Sequence, residues 1–196
     1  MIKKGFFILA VLVMVAGPAA ARKIAGIDMP ETLKAGNDTL VLNGAGLREK
    51  YALGLDIYVA GLYLKNISHD AQAIISSDEN MAIRLHVVTK LITPKKFTDA
   101  TLEGFTLSCQ NQGIDMARIQ PEIDRFVAIF KSGITKGDVY DIINVKGEGV
   151  QVFKNGSETP LVAIQNPALK KALFGIWLTE GPEDHLKVVR KALLGI

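Results

Sequence analysis

Cysteine is almost missing from this sequence: Cys109 stands alone in 196 residues, so no internal disulfide can brace the fold. It falls on an apolar stripe at helical spacing and reads as a buried, inert thiol. Histidine is nearly as scarce. His69, His86 and His185 are far apart and have no neighbours at metal-ligand spacing, so no metal and no other cofactor is expected. A charge of one sign is lacking too, since 23 lysines and arginines face 20 aspartates and glutamates; nothing marks a nucleic-acid surface. No Gly-x-Ser-x-Gly elbow, Walker loop or dinucleotide fingerprint occurs, which removes the enzyme classes those motifs announce. Asp99, Glu103 and Asp141 are isolated carboxylates, read as solvated faces rather than general bases.

What is present begins with an address. Lys3 and Lys4 precede an apolar run from Phe6 to Ala16, then Gly17-Pro18 and the small residues Ala19 to Ala21. That three-part pattern predicts a signal peptide over residues 1–21, with cleavage near Ala21. The run is too short for a comfortable membrane span. Residues 22–196 are then an exported single domain without an integral membrane span, placed in the periplasm.

Along that domain the hydrophobic period alternates between two and 3.6. TLVLNGAG from Thr39 and the aromatic, branched segment Tyr51 to Leu64 read as two antiparallel strands joined by a turn at Gly44–Gly46, with Gly54 and Gly61 marking a bend or close backbone approach in the second. Asp70 to Ser77 predicts a short helix and Met81 onward a half-buried strand. Thr93-Pro94 is an N-cap hydroxyl followed by a proline that needs no amide donor; it opens a helix with Phe97, Thr101, Phe105 and Cys109 on one face. A second helix starts at Gln120-Pro121 and buries Ile123, Phe126, Val127 and Phe130. Period two returns after Gly137, followed by a hairpin with Asn155-Gly156 at its turn. Asn166-Pro167 opens a helix carrying Leu169, Leu173, Ile176 and Trp177 on its apolar stripe, with Trp177 read as core, and Pro182 opens a last one. The lysine pairs Lys95-Lys96 and Lys170-Lys171 read as solvated faces. Strands, helices, strands and helices in that order predict an α+β fold, an antiparallel sheet with helices gathered on one face.

Four pieces in order, LVLNGAGLREK, IYVAGLYL, the helix after Thr93-Pro94 and NPALKKALFGIWL, resemble the chalcone isomerase family, specifically its exported bacterial chalcone-isomerase-like branch. The resemblance implies an open-faced β-sandwich, a large antiparallel sheet with a layer of helices. In the plant enzymes of that family an arginine just after Gly-Ala-Gly stabilises charge during closure of a flavanone ring, and Arg48 matches it. The family's strand threonine falls at Tyr58, its helix tyrosine at Phe97, its asparagine at Gly104 and its late serine or threonine at Ile176. Most of the polar ring-closure set is therefore missing, and each lost donor to developing charge costs about 2.7–4 kcal/mol in comparable enzymes.

The retained arginine matches a non-catalytic branch of the family in which an arginine and a tyrosine hold a fatty-acid carboxylate. Phe97 cannot supply that phenol, whereas Tyr58 or Tyr63 could. The sequence thus predicts a binding protein for a fatty acid or similar amphiphilic anion, with Arg48 as anchor, Tyr58 as second donor, and Phe97, Leu62, Phe105 and Ile176 as apolar lining. Two alternatives stand beside it. An intramolecular lyase or isomerase requires Tyr58 and Arg48 in close contact, and an envelope interaction protein requires a cleft filled by its own side chains. Arg48 also has a plain structural use, bridging the glycine segment to backbone carbonyls or to Glu49 or Asp56.

Overall fold

In a computed structural model, residues 21–50, 55–181 and 184–196 are described. The expected signal segment up to residue 20, the bend at Gly54, the helix-opening Pro182 and the side chain of His185 lie outside them. Strands β1 (Ala21–Ile24) and β2 (Ile27–Pro30) form a separate two-stranded hairpin. A seven-stranded sheet follows: β3 (Thr32–Ala35), β4 (Asp38–Lys50), β5 (Leu55–Leu64), β6 (Met81–Val87), β7 (Val139–Val145), β8 (Gly149–Lys154) and β9 (Val162–Ile164). The strands neighbour one another in chain order, every pair is antiparallel, and the sheet stays open.

Helices α1 (Ala71–Ser76), α2 (Pro94–Gln112), α3 (Gln120–Lys131), α4 (Pro167–Leu178) and α5 (Asp184–Leu194) all feed one large core on a single face of the sheet. Their starts are as the residues dictate. Thr93 caps α2 by accepting from the Lys96 amide at 3.2 Å, and Asn166 caps α4 by accepting from Ala168 and Leu169, a kind of contact that stabilises by about 1 kcal/mol. α3 buries Ile123, Phe126, Val127 and Phe130, each contributing roughly 1.5–3 kcal/mol through loss of apolar surface to water. On the opposite face a smaller core gathers Met29 of the hairpin with Leu40, Leu42, Val59, Tyr63 and Ile143. Residues 21–35 carry the three short strands β1, β2 and β3; β1 exposes most of its residues and so shows no alternation to read.

Gly44-Ala45-Gly46 is not a turn. β4 passes straight through it, and the ladder with β5 shifts register between Leu42 and Gly44. That bulge reverses the pleat's alternation: Leu40 and Leu42 face the small core, whereas Gly44, Gly46 and Arg48 face the helices. The glycines are there because α5 lies directly on them. A Cβ on Gly44 would collide with the carbonyl oxygens of Ala192 and Leu193, and one on Gly46 would sit 2.6 Å from the Ala192 methyl. Asn43 fastens the crossing, donating from Nδ2 to Leu193 O at 2.8 Å and to Ser68 O at 2.9 Å.

Candidate ligand cavity

Two residues beyond Gly46, β4 clears the helix that covers it, and Arg48 reaches a cavity of about 190 Å³ between the sheet and α2 and α4. Its lining comes from Arg48 of β4, Leu55, Ile57 and Tyr58 of β5, Leu91 and Ile92 of the loop before α2, Lys96, Phe97, Ala100, Thr101 and Glu103 of α2, and Ile176 and Trp177 of α4. A second register shift, between Arg48 and Glu49, leaves Ile57 out of the pairing ladder with β4 and admits both Ile57 and Tyr58 to the helix-side core. Arg48 and Tyr58 are direct cross-strand partners, so their side chains rise on the same face.

The polar centre of the cavity is the Tyr58 hydroxyl. Arg48 Nη1 donates to it at 3.2 Å and Trp177 Nε1 donates to it at 2.9 Å. With both lone pairs engaged, the one hydrogen-bonding function left to this hydroxyl is its own proton, which suits an acceptor such as a carboxylate or carbonyl oxygen. The Arg48 guanidinium also lies 5.8 Å from the Tyr58 ring centroid. Phe97 meets the Tyr58 ring edge-on at 6.3 Å and is backed by Phe130 at 4.6 Å.

The structure sorts the residues named from the sequence. Arg48, Tyr58, Phe97 and Ile176 come together around the cavity. Leu62 and Phe105, expected in the lining, are fully buried in the helix-side core behind it; they share the correct face but lie one layer too deep. Tyr63 stands on the opposite face, where its hydroxyl donates to Pro30 O at 2.9 Å and burial pushes its pKa up to about 12. Trp177 is buried as expected but also orients Tyr58, a role its place on an apolar stripe gave no sign of. Lys96, read as a solvated charge, stands at the mouth with Glu103 and Leu91.

A family profile described as chalcone isomerase-like matches residues 21–195. The chain belongs to the chalcone isomerase-like family. Among solved structures, the chalcone isomerase-like fold is shared with the crystal structure of an Arabidopsis thaliana fatty-acid binding protein, at 21% identity and a TM-score of 0.68. That match covers 92% of this chain and 95% of the other. Among curated proteins none matches this sequence.

Elsewhere in this chalcone isomerase-like chain, charges read as solvated are buried. Asp141 lies opposite Arg84 across β6 and β7 and accepts from it at 2.6 and 2.8 Å. Burial opposes the Arg84 charge, yet its hydrogen bonds to Asp141 and the carboxylate's charge raise its pKa overall. Beside this pair, burial first and then Arg84 lower the pKa of His86. Lys170 is buried and donates to Ile74 O, Ile75 O and Ser77 O, closing the C-terminal end of α1, while burial pushes its pKa down to about 8. It borders a second cavity of about 370 Å³ lined largely by polar and glycine residues. Although larger, that cavity draws its buried charge from an ammonium already committed to three carbonyls. Among the described residues no group of three or more His, Cys, Asp or Glu is placed to hold a metal ion, and no helix is long and apolar enough to cross a membrane.

Proposed function

We propose that this protein binds an amphiphilic carboxylate, a fatty acid or similar acid, in the cavity at Arg48 and does not turn it over. The observation that carries this reading is the Arg48–Tyr58–Trp177 constellation, a guanidinium beside a phenol whose remaining function is to donate, set against the apolar walls of Phe97, Ile57 and Ile176. Such a pair suits a carboxylate oxygen, with the guanidinium supplying charge and the phenol a directed donor. The fold shared with a fatty-acid binding protein supports it, as does the apolar character of Phe97, Gly104 and Ile176, where the resembling enzymes carry polar groups. An open cavity is at odds with an interaction protein whose cleft is filled from within.

The decisive comparison is native mass spectrometry of wild type and Arg48→Ala purified without detergent, with calorimetric titration of octanoate. Loss of a charged hydrogen bond worth about 1.5–3 kcal/mol predicts a 10- to 100-fold weaker affinity in the variant. Equal affinity in the two proteins would defeat the anchor role. The close Arg48–Tyr58 contact is also what an isomerase would need, and release of a chemically altered acid from wild type but not from Tyr58→Phe would favour that activity instead.

The leader supports export to the periplasm with cleavage near Ala21. Peptide mapping of the periplasmic fraction should find an N-terminus at or next to Arg22. Full-length chain confined to the cytoplasm would contradict it.

A further inference from the structure

Resting on the carboxylate-binding reading above, we propose that the cavity selects compact acids, a medium-length chain or a single aryl ring, over long-chain fatty acids. A dry cavity of about 150 Å³ accommodates benzene, six carbons. By that measure the 190 Å³ here holds roughly eight heavy atoms beside Tyr58. It also falls below the roughly 300 Å³ at which sites for larger ligands begin.

The inner walls are not placed to yield. Phe97 is clamped between the Tyr58 and Phe130 rings. Ile176 packs so closely on α2 that a Cβ at Gly104 would lie 2.8 Å from its Cγ2, and Trp177 is held by its hydrogen bond to Tyr58. Phe105 fills the space behind at zero exposure. On the other side the described residues that border the mouth include Leu91, 67% exposed, with Lys96 and Glu103. Methylenes beyond the filled volume therefore meet water and charged groups, and add little to binding.

The test is calorimetric affinity for the straight-chain acids from butanoate to hexadecanoate, each below its micelle concentration, and for benzoate, in wild type, Arg48→Ala and Ile176→Ala, with Ile176→Val as the milder variant. The expected result is a rise of about fourfold per methylene that levels off near eight carbons, with benzoate bound detectably. The Ile176 variants should move the plateau to longer chains. Affinity that climbs steadily to hexadecanoate in wild type, yet is lost in Arg48→Ala, overturns the size selection and leaves the anchor standing. No Arg48-dependent binding of any acid overturns both. A plateau that the Ile176 variants leave in place overturns the assignment of Ile176 as the limiting wall.

Discussion

Gly44→Ala is expected to destabilise the fold by about 3 kcal/mol or more, the upper end of what overpacking usually costs. The added methyl would meet backbone rather than a side chain that can swing aside: the carbonyl oxygens of Ala192 and Leu193 stand where it must go. α5 would have to lift from β4, taking with it the Asn43 hydrogen bond to Leu193 and the buried contacts of Val189 and Leu193. Urea unfolding of the variant should show the loss as a lower midpoint. A change below 1 kcal/mol would mean that α5 does not rest on this strand as described. Ala45→Val is the useful control, because Ala45 faces the other side of the sheet, itself only partly buried where it packs on the small core.

The second large effect is expected at Asp141→Ala, about 3 kcal/mol. The carboxylate engages Arg84 through two short hydrogen bonds in a part-buried setting, with side-chain exposures of 22% for Arg84 and 11% for Asp141. Removing it leaves a guanidinium with few routes to water, and that stranded charge, rather than the intrinsic strength of the pair, supplies most of the loss. The residual exposure of Arg84 places the value at the lower end for broken buried pairs. A double replacement, Arg84→Met with Asp141→Leu, should recover much of the stability in thermal or urea unfolding. If Asp141→Ala unfolds at the wild-type midpoint, the pair is solvated and its charges are independent.

Much of this architecture could be read from periodicity and caps alone. Thr93-Pro94, Gln120-Pro121 and Asn166-Pro167 mark helix starts through chemistry local to a few residues, and the alternation from Val139 to Val145 marks a strand in the same way. The failures share one cause, which is that they depend on elements distant in the chain. A glycine signals a turn or a close approach with equal force, and only α5, about 150 residues further on, decides that Gly44 is the second. Lys170 and Lys171 look identical in sequence, yet the end of α1 captures one of them. Asp141 alternates like any outward-facing strand residue until Arg84 is placed across from it.

At the cavity, the sequence pattern identified the correct face but not the depth. Phe97 and Phe105 share a stripe of α2, and eight residues along it one borders the cavity and the other is sealed beneath α3 and the sheet. Likewise Tyr58 and Leu62 share a face of β5, but only the first lies near the strand end where α5 gives way. The parity of Arg48 was beyond sequence reading as well, since it turns on a bulge that adds one residue to β4.

The indole that steadies Tyr58 is the chain's one tryptophan. All ultraviolet emission excited at the red edge of protein absorption therefore originates at the wall of the cavity, next to the group that would meet a bound acid. Occupancy, access of quenchers from the mouth at Leu91 and any loosening of α4 converge on a single native chromophore, so the protein reports on its own site without a label.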